Sequence, residues 1–175
     1  MKVTEPATML TDYALTLLCL FFAFSLHRRS EGRKVGLWVA AFSVTTLAAL
    51  AGGTAHGFRI PLGENWSTVW RITVASIAVG SGLLLAAGIR SVLRPDAKDK
   101  TVRHEGVRWL RRAIWVTLAG LAVLVLKLSP HRNFNHNDLY HVIQMGGLFC
   151  LYRGALLLHG LHGISGSDRR RETGS

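Results

Sequence analysis

Residues 66–89 read WSTVWRITVASIAVGSGLLLAAGI, an apolar run whose single charged residue is Arg71. A helix needs about 20 mostly apolar residues to cross a bilayer. Four other runs have this character, and they lie at residues 7–26, 35–58, 113–129 and 139–159. The sequence therefore predicts an all-α integral membrane protein, built as a bundle of five transmembrane helices.

The composition agrees with this interpretation. Of the 175 residues 49% are hydrophobic and 18% are charged, yet 21 lysines and arginines face 10 acidic residues, for a net charge of +11. An average soluble domain carries about 25% charged residues. A chain that is poor in charge and strongly basic is typical of a small membrane protein with cationic loops. The two cysteines, Cys19 and Cys150, lie in apolar runs, which excludes a disulfide scaffold.

The distribution of cations predicts the orientation. The first loop, the third loop and the C-terminal tail hold most lysines and arginines, whereas the opposite side holds only Lys2, Arg59 and Arg132. By the positive-inside rule the N-terminus lies outside and the C-terminus is cytoplasmic, in a multi-pass protein of the inner (cytoplasmic) membrane. Topology thus accounts for the basic loops, and we expect membrane lipids and no nucleic acid as partners.

The chain predicts a single domain over residues 1–163, followed by a disordered basic tail over residues 164–175. The loop over residues 90–112 is long enough for a short helix on the membrane surface. Helices in lipid associate through small residues. We therefore expect the third span to pack through Ala78, Gly82 and Ala86, and the fifth through Gly147 and Gly154.

Polar side chains near the outer ends of the spans indicate where chemistry occurs, because polar groups at membrane depth are costly. They include Asp12, His56, Glu64, Arg71, His136, Asp138 and His141. On the last helix, Asp138, His141 and Gln144 share one face. The second helix brings His56 to the same side. The pattern predicts an outward-facing pocket formed by the second, third and last spans.

Three interpretations of this pocket remain open. In the first, His56 and His141 bind Zn²⁺, with His136 or Asp138 as the third ligand. In the second, His56 and His141 hold a haem, with a further pair from His27 and His159 at the inner end. In the third, the histidines and the neighbouring aromatic residues anchor helices at the level of the lipid head groups.

Two short motifs resemble a known family. They are Gly52-Gly53-Thr54-Ala55-His56-Gly57-Phe58 and Asn137-Asp138-Leu139-Tyr140-His141-Val142-Ile143. They are similar to the superfamily of membrane hydrolases that contains the alkaline ceramidases and the adiponectin-receptor-like proteins. Those proteins have Ser-x-x-x-His at the end of one helix and His-x-x-x-His at the start of the last. Here Gly52 stands at the serine position and Asn137 at the first histidine of the final pair.

The resemblance implies a zinc-dependent hydrolase of lipid amides or esters. His56, His141 and either His136 or Asp138 would bind zinc, whose bound water ionises near neutral pH. Glu64 or Asp138 would accept the proton, and Arg71 would stabilise the developing oxyanion. Two other functions remain as alternatives, a non-catalytic small subunit of a larger membrane complex and a b-type haem-binding electron carrier.

Overall fold

The computed structural model describes residues 3–30, 35–131 and 134–161. All the secondary-structure elements in this part of the chain are helices. The helices are α1 (Pro6–Arg29), α2 (Gly36–Gly57), the single turn α3 (Arg59–Leu62), α4 (Trp66–Leu93), α5 (Lys100–Val125) and α6 (His136–Leu158). The all-α class is thereby confirmed, with five long helices. The proposed tail over residues 164–175 lies outside the described residues.

The long helices run up and down in turn, so the bundle has two ends. We call the end that carries Glu5, His56 and Asp138 the histidine end, and the end that carries Arg29, Arg90 and Lys100 the basic end. Helix α2 packs against both α1 and α4, and α5 packs against α6. Contacts between α4 and α6 are sparse. This leaves a gap between these two helices.

Among the described residues, four segments are long and apolar enough to cross a membrane, namely Pro6–Arg29, Gly36–Gly57, Arg59–Leu93 and His136–Leu158. Helix α5, which contains most of the fourth predicted span, is not one of them. Their outward faces are apolar: Leu17 of α1 is 68% exposed and Leu85 of α4 is 66% exposed. Contiguous apolar surface of this kind marks contact with a membrane or with another protein.

The aromatic core lies toward the basic end, where α1, α2 and α6 meet. The ring of Phe22 stacks on Tyr152 with the centroids 4.4 Å apart, and Phe42 meets Phe22 edge-on at 5.4 Å. The Tyr152 hydroxyl is 2.7 Å from Oγ of Ser25, so this buried polar atom has a partner. The tight packing here contrasts with the gap between α4 and α6.

The fourth predicted span differs from the structure at both ends. Helix α5 begins at Lys100, because the Asp99 side chain accepts a hydrogen bond from the backbone N–H of Thr101 at 2.8 Å. The expected separate surface helix within residues 90–112 is thus the basic first half of α5. The helix ends at Val125, before Lys127 takes a positive φ of 51°. The predicted end at Ser129 was wrong.

The small residues that pack helices are only partly those predicted. On α6, Gly147 and Gly154 contact α5 as expected: a Cβ at Gly154 would lie 2.6 Å from Cδ2 of Leu110. On α4, the expected stripe of Ala78, Gly82 and Ala86 is exposed instead. Helix α4 meets α2 through its other face, where Gly80 lies against Thr45. The spacing was right for a helix stripe, but spacing alone does not show which stripe meets a neighbour.

Candidate functional site

A cavity of about 190 Å³ opens between α2, α4 and α6 toward the histidine end. Its polar lining includes Asp12, Thr45, His56, Ser81, Tyr140, His141 and Gln144. Its apolar lining includes Leu15, Ile77, Leu84 and Leu124. On the α4 side Ile77 and Ser81 are exposed. The cavity therefore opens toward the exposed apolar surface of α4.

Asp12 is the buried carboxylate of this cavity, with 4% of its surface exposed. Its nearest ion-pair partner in the described part of the chain is Nε2 of His141, which lies 3.4 Å from Oδ1. This distance exceeds the usual N–H···O hydrogen bond of about 2.7–3.2 Å. On the other side, a Cβ at Gly52 would lie 3.2 Å from Oδ2. Gly52 thus leaves room for the carboxylate at the position where the resembled family carries serine.

The second ring nitrogen of His141, Nδ1, also contacts helix α1. Nδ1 lies 3.1 Å from Oγ1 of Thr11, one residue before Asp12 on α1. This contact aims Nε2 at Asp12 and the cavity. The carboxylate, the imidazole and the hydroxyl form one continuous polar chain between α1 and α6.

His56 approaches the cavity from α2. Its Nδ1 lies 2.9 Å from Oε2 of Glu5, which precedes α1. The Trp70 ring meets the imidazole edge-on with the centroids 5.7 Å apart. The carboxylate orients the ring through Nδ1, so Nε2 is the nitrogen left for a ligand.

Asp138 occupies a different position from the one predicted for a catalytic base. It is 0% exposed, and Oδ1 accepts a hydrogen bond from Oγ1 of Thr8 at 2.7 Å. Oδ2 accepts one from the backbone N–H of Asn135 at 2.8 Å, and the Asn135 side chain in return accepts from the Asp138 N–H. This reciprocal capping box starts α6. Both carboxylate oxygens are therefore already bonded.

Three other predicted site residues lie away from the cavity. Glu64 is exposed in the 3₁₀ turn that precedes α4, and Arg71 is exposed on α4. His136 is the first residue of α6 and is half-buried. None of the three lines the cavity. Of the six residues predicted for catalysis and metal binding, the structure brings only His56 and His141 to it.

The resemblance implies zinc, but the residues around the cavity do not supply the expected ligand set. Within residues 3–30, 35–131 and 134–161, no group of three His, Cys, Asp or Glu side chains is placed to hold a metal ion. His136 lies outside the cavity, and the oxygens of Asp138 are engaged. These residues therefore do not fit the zinc site that the resemblance implies.

The predicted haem arrangement does not match the placement of the histidines either. The cavity between His56 and His141 is about 190 Å³, smaller than the roughly 300 Å³ at which pockets begin to enclose drug-sized molecules. At the basic end His27 is exposed and His159 is buried. These two histidines therefore form no facing pair.

His159 instead belongs to a second polar cluster, which closes the basic end. Its Nδ1 lies 2.6 Å from Oδ2 of Asp96, and its Nε2 lies 3.0 Å from Oγ of Ser91. Nε1 of Trp38 donates to the same Oγ at 2.9 Å. Ser91 is 1% exposed and His159 is 3% exposed. The cluster joins α2, α4 and α6 and does not line the cavity.

The spacing of polar residues on α1 also indicates a site residue in the sequence. Thr8, Thr11 and Asp12 lie three and four residues apart, on one helical face. Their partners, Asp138 and His141, have the matching spacing on α6. Two polar faces of equal spacing on two apolar helices indicate a shared interface, and this identifies Asp12 as a site residue.

Comparison with known proteins adds the family. No curated protein and no solved structure matches the chain. A family model matches residues 7–103 and 100–159, which include Asp12, His56 and His141. The chain therefore belongs to the family of unknown function DUF6962.

Proposed function

We propose that this protein binds a membrane amphiphile whose polar head donates hydrogen bonds, as a lipid amide with free hydroxyls does. The head group would occupy the cavity beside Asp12, His56 and His141. The observation that supports this most directly is Asp12, a buried carboxylate that faces the cavity and whose contact with His141 is long. A carboxylate oxygen that is accessible from the cavity can accept a hydrogen bond from a ligand that donates one, and such charge-assisted hydrogen bonds are strong.

The shape of the cavity favours an amphiphile over a fully polar ligand. A volume of about 190 Å³ accommodates a head group but not a whole lipid. Its lining combines polar side chains with apolar ones such as Leu15 and Leu84, and α4 and α6 touch only sparsely. An acyl chain would leave through this gap into the bilayer.

The proposal includes the orientation of the bundle in the membrane. The basic end carries Arg28, Arg29 and Arg90 among the described residues, and the positive-inside rule places such an end on the cytoplasmic side. The histidine end and its cavity would then face the outer leaflet, and the ligand would enter from that leaflet.

Hydrolysis of the bound lipid is a second candidate function. It is favoured by His56 and His141, which face one cavity while Glu5 and Thr11 hold their Nδ1 atoms. Such orienting contacts are typical of metal-ligating histidines, and a third ligand would have to come from a group other than His136 or Asp138. Elemental analysis of the detergent-purified chain distinguishes this candidate. Near-stoichiometric zinc that is lost in His141→Ala supports it, and unchanged metal content in that variant contradicts it.

The binding proposal is tested with a fluorescent short-chain ceramide titrated onto the full chain in detergent micelles. Ser81→Trp places a large ring in the cavity, and we expect it to abolish saturable binding. Gly82→Trp is the matched control, because the adjacent Gly82 has open space around it and does not line the cavity. Equal binding by the two variants would contradict the proposal.

A further inference from the structure

A second cavity lies at the basic end, between the end of α4 and the start of α5. Its volume is about 410 Å³. Val92, Pro95, Val107 and Leu158 form an apolar floor, and Lys100, Arg103 and His104 form the rim. The lining is complementary to a phospholipid. The apolar floor suits its acyl-glycerol part, and the cationic rim suits its phosphate.

The acidic residues nearest to this rim are engaged elsewhere. Asp96 contacts Nδ1 of His159 at 2.6 Å, and Asp99 accepts from the backbone N–H of Thr101. Glu105 pairs with Arg108 at 3.0 Å on the same helix. In the part of the chain that the structure describes, neither Lys100 nor Arg103 forms an ion pair with a carboxylate. Both side chains line the cavity, so their positive charges are available to a ligand there.

We propose that this cavity is a binding site for the head group of an anionic phospholipid, with the phosphate between Lys100 and Arg103. Basic pockets beside transmembrane helices recognise anionic head groups in this way. The apolar floor distinguishes a lipid from free phosphate, because an inorganic ion would not cover Val92, whose side chain is 43% exposed. The adjacent Leu93 is 74% exposed on a helix long enough to cross a membrane, so the cavity is continuous with an apolar surface.

The experiment titrates phosphatidylglycerol onto the full chain in detergent and counts bound lipids by native mass spectrometry, with phosphatidylcholine as the reference lipid. We expect the chain to bind phosphatidylglycerol more tightly. Each cation near a membrane surface contributes about fivefold in affinity. Lys100→Gln and Arg103→Gln should each weaken phosphatidylglycerol binding by about this factor.

Arg108→Gln is the charge-matched control, because Arg108 lies on the same helix but pairs with Glu105 outside the cavity. It should change the affinity by less than about twofold. An equal loss of affinity in Arg103→Gln and Arg108→Gln would overturn the proposal. It would show that binding depends on the overall positive charge and not on a specific site. Equal affinity for the two lipids would overturn it as well.

A second pair of variants tests the space inside the cavity without changing the charge around it. Val92→Trp fills the cavity without changing the charge, and we expect it to remove the preference for phosphatidylglycerol. Leu93→Trp is its neighbour on α4 and does not line the cavity. If both variants keep the preference, the floor takes no part and the proposal fails. Displacement of the lipid by free inorganic phosphate would also contradict the lipid assignment.

Discussion

The two ends of the bundle contain the same three chemical groups in different settings. At the histidine end, Asp12, His141 and Thr11 form a chain in which the imidazole and the carboxylate are 3.4 Å apart beside a cavity. At the basic end, Asp96 and His159 are 2.6 Å apart and Ser91 completes the chain.

The difference lies in what surrounds each cluster. At the basic end Trp38 donates to Ser91, and both Ser91 and His159 are buried, so their polar atoms satisfy one another. At the histidine end the carboxylate of Asp12 faces open space. Short, enclosed polar contacts hold helices together, whereas a long contact beside a cavity leaves capacity for a ligand. The residue types alone do not make this distinction.

The largest expected effect comes from removing the imidazoles. His159→Ala should lower the free energy of unfolding by about 3 kcal/mol, because it leaves Ser91 and Asp96 without their shared partner and creates a void. His141→Ala should lower it by about 1 kcal/mol, since its ion pair is long and the cavity can admit water. Unfolding in mixed micelles with increasing dodecyl sulfate measures both. Equal losses of unfolding free energy would show that the two clusters stabilise the bundle equally, contrary to this comparison.

The carboxylates should give effects of opposite sign. Asp12→Asn should raise the free energy of unfolding by about 1 kcal/mol, because a neutral amide is less costly to bury than the carboxylate it replaces. Asp96→Asn should lower it by about 1 kcal/mol, because it weakens a charged hydrogen bond at a partly exposed site.

The same Asp12→Asn variant should weaken ceramide binding by about tenfold, which corresponds to the loss of one charge-assisted hydrogen bond. Glu64→Gln is the control, because it neutralises an exposed carboxylate at the same end that does not line the cavity. If Glu64→Gln weakens binding as much as Asp12→Asn does, the effect is one of net charge and the cavity is not the site.

The smallest effect should come from the hydroxyl that orients His141. Thr11→Val should weaken ceramide binding by about threefold and change the unfolding free energy by less than about 0.5 kcal/mol. Thr16→Val is its control on the same helix, since the Thr16 hydroxyl donates to the backbone carbonyl of Asp12. A large loss of stability in Thr11→Val would show that the contact serves packing, as the one at Ser91 does.

The sequence by itself determined the all-α class and placed the long helices, because apolar runs of spanning length are a local property of the chain. It placed α2 and α6 within a few residues of their observed ends. It did not place the start of α5, where the charged first half concealed the helix that Asp99 caps. Composition distinguishes lipid-facing from charged segments, but it does not distinguish helix from loop when the segment is charged.

The tertiary structure decided which polar residues meet. His56 and His141 were predicted from the sequence as members of one pocket, and both line the cavity. Asp138, an equally prominent candidate, caps α6, whereas Asp12 on α1 faces the cavity in its place. The physical reason is that a site between helices depends on which stripe of each helix faces its neighbours. That choice comes from side-chain packing across the whole bundle, and the spacing within one helix does not contain it.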